Sequence, residues 1–193
     1  MPLEATRDRL LDAALEVFAR KGYEDARVED VCQAAGSARA TFYRHFSGKE
    51  EAFVALVERL GVELDAMATA VEPVRPDAAG RDALRRLIDR SLAVSERWSP
   101  IIEVLNVPRR LPPSARRAAQ GIAASVNHTV GRALRDGLPA GMDPDTAALA
   151  VTALIDGVGH QIRTWDLPLD RDEVVDSLTE LASQMLHAQP AIA

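Results

Sequence analysis

The eleven residues Gly36-Ser37-Ala38-Arg39-Ala40-Thr41-Phe42-Tyr43-Arg44-His45-Phe46 constrain this chain more than any other stretch. Phe42 and Phe46 stand four apart, so a helix here puts both on one face and turns them into a core. The residues between and before them are small or carry donors: Arg39, Ala40, Thr41, Tyr43, Arg44 and His45, with no acid before Glu50. Upstream, Val28, Val31, Cys32 and Ala35 repeat at helical spacing, and Gly36 permits a tight turn between the two short helices. Two short helices joined by a tight turn, the second presenting arginines, a hydroxyl and a phenol outward, form a helix-turn-helix. Its second helix is built to meet phosphates and base edges.

The remaining pattern is helical throughout. Leu11, Ala14, Leu15 and Phe18 give one stripe from about Thr6 to Lys21, ended by Gly22. Three short helices would pack around Phe18, Tyr23, Val31, Phe42 and Phe46. Ser47-Gly48-Lys49-Glu50 reads as a capping box that opens a fourth helix to about Val71. A Pro-containing break at Glu72–Asp77 then marks a second domain. Beyond it, Ser99-Pro100 and Asp143-Pro144 read as helix starts, and Val174, Leu178, Leu181 and Met185 mark a last helix. The expectation is an all-α protein of about nine helices. It would have a DNA-binding domain over residues 1–50, a bridging helix to about 71, and a helical domain over 72–193.

Composition narrows the function classes. Apolar residues make up 47 % of 193, mostly Ala, Leu and Val, with few aromatics, which favours helices over strands. A net charge of −6 argues against a general nucleic-acid coat, yet a specific reader needs only a positive docking face. A lone cysteine excludes an intramolecular disulfide, and no apolar run or leader pattern stands out, so a cytoplasmic protein is expected. Cys32 lies on a buried stripe and reads as a core residue rather than a redox sensor.

In order and at this spacing, Leu11-Asp12-Ala13-Ala14, Phe18, Lys21-Gly22-Tyr23, Val28-Glu29-Asp30-Val31, Gly36, Thr41-Phe42-Tyr43-Arg44-His45-Phe46 and Lys49-Glu50 resemble the tetracycline-repressor (TetR) family of bacterial transcriptional regulators. The remaining two thirds resemble it only in layout. The resemblance implies a sequence-specific DNA-binding regulator, a repressor more often than an activator. It would bind a palindromic operator as a homodimer and be released by a small-molecule effector. Three departures stand out. Ala26 and Arg27 replace the usual hydroxyls, leaving Asp25 as a substitute cap or Arg27 as a phosphate contact. Ser37 and Ala38 follow the turn glycine, so Ser37 is expected to cap the recognition helix. Ala40 replaces a glycine.

By resemblance and chemistry, Tyr43, Lys49 and Thr41 would hold phosphates, helped by the free amides opening the fourth helix. Arg39 would read a base, most naturally guanine, while Ala40 and Thr41 could meet a thymine methyl and His45 a phosphate or base edge. Arg44 is placed on the same helix without a fixed role. Trp98, Leu105, Asn127, His128, Gln161 and Trp165 are candidates for the effector pocket. Gly157, Gly159, Val174, Leu178, Leu181 and Met185 are candidates for the dimer seam, with packing inside one subunit as the alternative. Asp156, His160 and His128 read as polar pocket or surface residues rather than metal ligands, and no cofactor is expected. No nucleophile, metal or phosphate-loop pattern favours an enzyme. The rivals are a repressor without a ligand, one controlled by a protein, an all-helical enzyme, and a helical module binding an acidic protein.

Overall fold

The computed structural model describes residues 3–107 and 111–187. Among them are nine α-helices, α1 (Leu3–Lys21), α2 (Val28–Ala34), α3 (Arg39–His45), α4 (Lys49–Thr69), α5 (Ala78–Arg97), α6 (Ser99–Leu105), α7 (Pro113–Leu134), α8 (Pro144–Trp165) and α9 (Arg171–His187), and a short 3-10 helix over Arg135–Gly137. The all-α class is as the sequence implies. No helix among the described residues is long and apolar enough to cross a membrane.

The chain forms two compact units. The first comprises Met1–Val62 and Trp98–Ile122, the second Glu63–Arg97 and Ala123–Ala193, so α4 and α7 each contribute to both. In the first unit, Leu10, Leu11, Ala14, Val17 and Phe18 of α1 are buried against Val31 and Cys32 of α2, Phe42 of α3 and Phe53, Leu56 and Val57 of α4. Phe53 is the aromatic hub: its ring lies 4.6 Å from Tyr23 and 6.1 Å from Phe18. Edge-to-face and tilted pairs of this kind add to the area they bury. Burial pushes the Cys32 thiol up, which suits an inert core position.

In the second unit, α5 packs on both α8 and α9. Leu84, Leu87, Ile88 and Leu92 of α5 face Ala148, Val151 and Ile155 of α8, with Val175, Leu178, Ala182 and Leu186 of α9 buried as well. A run of ion pairs fixes the register of α9 along α5. Arg81 reaches Glu180 at 2.6 Å, Arg85 reaches Asp176 at 2.8 Å, and Arg171 grips Asp89 at 3.0 Å and Glu96 at 2.7 Å. Each pair alone is weak in water; their order, antiparallel along two helices, specifies which face of α9 turns inward.

Local chemistry starts these helices. Asp143 accepts from the Thr146 amide (2.9 Å) and hydroxyl (2.7 Å), and Pro144 follows at the tolerated position, as the sequence predicts. Two other caps differ from expectation. At α4, the Ser47 amide donates to Glu51 (2.6 Å) rather than to Glu50, because the helix begins at Lys49 and Glu50 instead accepts from Ser114 at 2.8 Å. At α3, Ala38 is the capping position with no side-chain bond, so Ser37 lies one residue too early to cap.

Gly80 sits where the loop after α4 folds back on α5. A Cβ there would stand 2.1 Å from the Arg75 carbonyl oxygen and 2.2 Å from its amide nitrogen, both backbone atoms with little freedom to yield. Gly80→Ala is therefore expected to destabilise the protein by about 1–3 kcal/mol or more through overpacking. An unchanged denaturant midpoint would show that the loop relaxes freely.

Candidate nucleic-acid interface

The helix-turn-helix is assembled from short-range bonds. The Arg27 amide donates to Asp30 at 3.0 Å, which caps α2 from within its own first turn; Asp25 is not used. The second Asp30 oxygen accepts from Lys21 at 2.6 Å, tying the end of α1 to the start of α2. Gly36 then turns the chain in the left-handed region (φ +57°), and the Ser37 amide bonds back to the Cys32 carbonyl at 2.9 Å. Phe42 and Phe46 are buried with rings 5.4 Å apart, which fixes the rotation of α3 about its own axis.

That rotation turns the polar residues outward. Arg39, Ala40, Tyr43 and Arg44 are exposed, and Thr41 is half-buried. Tyr43 leaves 48 % of its surface to solvent, far more than a core phenol would. Arg27 is exposed at the start of α2, and Ser37 is half-buried beside the turn. The helix thus brings Arg39, Ala40, Thr41, Tyr43 and Arg44 onto one surface, with two arginines and no acid within α3.

The site holds features the sequence reading missed. Arg39 is not free: it pairs with Glu29 of α2 at 2.5 Å, bonds the Tyr43 hydroxyl at 3.5 Å and lies 5.8 Å from its ring centre. Lys49 donates to the carbonyls of Tyr23 (2.7 Å) and Glu24 (3.0 Å) and sits over the Tyr23 ring, so only one of its three protons remains for a phosphate. The Nε2 of His45 is buried without a partner, so contact through that nitrogen requires the ring to turn. Glu50 and Glu51 occupy the first turn of α4 and already complement its dipole, which leaves that terminus a poor seat for a phosphate.

Lys21 and the Arg27 amide hold Asp30 below the ordinary carboxylate range, and the Ser47 amide does the same for Glu51. A carboxylate depressed on folding stabilises the fold fully above its unfolded value and loses that contribution as the pH falls through its folded value. Stability of the first unit is therefore expected to decline below about pH 4. The Asp30→Asn and Glu51→Gln pair should flatten the dependence of unfolding temperature on pH below that point. Parallel curves for variant and wild type would rule it out.

Residues 10–56 match the profile of the bacterial regulatory proteins of the tetR family. Its helix-turn-helix domain is that of the TetR-family transcriptional regulators. It is 26 % identical to the HTH-type transcriptional regulator TtgR of Pseudomonas putida, covering 98 % of this chain and 95 % of that protein. It is 25 % identical to the HTH-type transcriptional activator FasR of Mycolicibacterium smegmatis, covering 94 % and 83 %. The fold is shared with the transcriptional regulator FadR of Bacillus subtilis, solved with stearoyl-CoA, at a TM-score of 0.75 and 21 % identity over 93 % of this chain and 98 % of that one. The chain is accordingly a DNA-binding transcriptional regulator.

The other residues singled out in the sequence are scattered. Trp98 is buried in the first unit, as is half of Leu105, so Trp98 is a core residue. In the second unit Asn127 is half-buried, while His128 is exposed and faces Asp145 at 3.5 Å. Trp165 is 68 % exposed and donates to Gln161 at 2.9 Å, which makes the pair a surface feature of α8. Of the seam candidates, Gly159 and Leu178 are covered by their own subunit, Val174 is half-buried, and Gly157, Leu181 and Met185 are exposed. Gly159 and Leu178 lie on the side of α8 and α9 that packs on α5.

Proposed function

We propose that this regulator is a cytoplasmic repressor that binds a palindromic operator as a homodimer and releases it on binding a small-molecule effector. The observation carrying the DNA half is the exposed row of Arg39, Tyr43 and Arg44 over a buried Phe42 and Phe46. In this reading Arg39 reaches a base, Tyr43, Thr41, Arg27 and the remaining Lys49 proton meet phosphates, and Ala40 lets the helix lie close. Ser37, Arg44 and His45 flank that contact.

One recognition helix reads too few base pairs to single out a site, and a two-fold pair solves this by reading two half-sites about 34 Å apart. The outward face of the second unit supports pairing. Leu149, Ala153 and Gly157 line one exposed row of α8 at intervals of four, and Leu181 and Met185 form an exposed apolar row on α9. Small residues on one helix beside larger ones on the next suit close packing against a second copy.

The effector half rests on the resemblance and on FadR, solved with stearoyl-CoA. A cleft of about 110 Å³ lined by Met67, Ala70, Leu87 and Arg90 is too small for a drug-sized guest, so an effector must open a larger space. Only an effector that prefers one conformation can release DNA.

Selection of bound fragments from a genomic library, with the purified protein and no added compound, tests the reading. A shared palindrome is expected. In competition binding, Arg39→Ala should lower operator affinity about tenfold or more and relax choice at one base pair per half-site. Tyr43→Ala should weaken all sequences alike. Full discrimination retained by Arg39→Ala would remove Arg39 as the reader.

A further inference from the structure

Two polar groups in the second unit are buried with nothing to bond. The Nε and Nη1 of Arg163, near the end of α8, lie out of solvent reach without a hydrogen-bond partner. The Oγ of Ser95 on α5 is in the same state, and Ser95 as a whole is 2 % exposed. A helical hydroxyl ordinarily bonds the carbonyl one turn back, as Thr152 does to Ala148 (2.9 Å) and Thr179 to Val175 (2.7 Å). Ser95 does not.

The two groups converge on one spot. A Cβ placed on Gly159 would lie 3.2 Å from Arg163 Nη1, 3.3 Å from Leu92 Cδ2 and 3.8 Å from Ser95 Oγ. The guanidinium, the hydroxyl and the Leu92 side chain thus all border the space a side chain at Gly159 would fill. Asp156, seven residues earlier on α8, is the acid that feels Arg163. Solvent reaches much of that residue, yet crowding around its carboxyl raises it by more than Arg163 lowers it. No bond from Asp156 reaches Arg163 Nε or Nη1.

Arg163 is half-exposed as a residue, but its two buried donors are open, which is costly, and such donors persist where a ligand supplies the acceptors. Water would fill the donors but leave the charge. We propose that Arg163 and Ser95 form a carboxylate-recognition site, and that the effector of this regulator is an organic acid whose carboxylate they bind. One cation and one hydroxyl match the single charge of a carboxylate; a phosphate has more charge and more acceptors than these donors meet. This identity of the ligand rests on the effector reading above, while the site itself does not.

The test uses the full-length protein, a series of straight-chain carboxylates from acetate to decanoate, the alcohols of matching length, and inorganic phosphate. Binding is followed by calorimetry and unfolding temperature, and operator release by anisotropy of a labelled fragment. Carboxylates are expected to bind more tightly than their alcohols. Arg163→Met should weaken carboxylates by at least about thirtyfold and leave alcohols unchanged. Ser95→Ala should weaken carboxylates about fivefold. Without ligand, Arg163→Met should unfold at the same or a higher temperature, because it removes two buried donors that have no partner.

Several results would overturn the proposal: no binding across the series, equal binding of acids and alcohols, an Arg163→Met variant that binds acids as well as wild type, or one that unfolds at a lower temperature. Arg163-dependent binding of phosphate in preference to carboxylates would overturn the choice of ion. Carboxylates that bind through Arg163 but leave the operator bound would uphold the site and remove its effector role. Release by a neutral compound alone would keep effector control and remove the acid.

Discussion

Phe42→Ala is expected to destabilise the first unit by about 3–5 kcal/mol, the range for emptying a buried aromatic site. The ring is fully buried and meets Phe46 at 5.4 Å and Tyr43 at 5.6 Å. α3 has seven residues, too few to hold a helix in water unaided. Phe42 is the buried residue within it, so the helix depends on this ring for both its existence and its orientation. Domains are typically stable by only about 5–15 kcal/mol, so the loss is a large fraction of the total. Operator binding should fall more steeply than stability alone requires, because Arg39 and Tyr43 lose their fixed direction. Denaturant unfolding and operator titration on the same preparation check this. A variant with wild-type midpoint and wild-type affinity would mean that α3 is held by other contacts.

Leu181→Glu is expected to convert the proposed dimer into monomers and to lower operator affinity by about two to four orders of magnitude. That is the scale lost when two linked half-site contacts become independent. Leu181 is 55 % exposed in the subunit, so the substitution should leave the fold of the isolated chain nearly unchanged. The two effects therefore separate cleanly. Sedimentation reports assembly, circular dichroism reports helix content, and an operator with one or two half-sites reports avidity. A wild-type chain that sediments as a monomer would remove the dimer altogether, and a Leu181→Glu variant that still pairs would place the partner surface elsewhere.

What the sequence made legible was governed by near neighbours. Gly36 and the Phe42–Phe46 spacing set the turn and the rotation of α3, and Asp143-Pro144 set the start of α8, because each acts within one or two helical turns. Errors of one residue arose where two side chains compete for the same job. Glu51 takes the Ser47 amide although Glu50 has the expected spacing, and Ala38 occupies the cap next to Ser37. What was hidden depends on pairs that only folding brings together. Glu29 and Arg39 meet across a turn ten residues apart, and Ser95 and Arg163 come from different helices. Trp98 carries no local sign that separates a pocket lining from a core. The α9 stripe admits both a seam and internal packing: Leu178 is buried while Leu181 and Met185 are exposed, a division set by rotation about the helix axis.

Lys49 has a mechanical consequence. By gripping the carbonyls of Tyr23 and Glu24, it rivets the first residue of α4 to the turn between α1 and α2. A torque delivered to the beginning of α4 therefore reaches that turn directly, without passing through the soft packing of side chains.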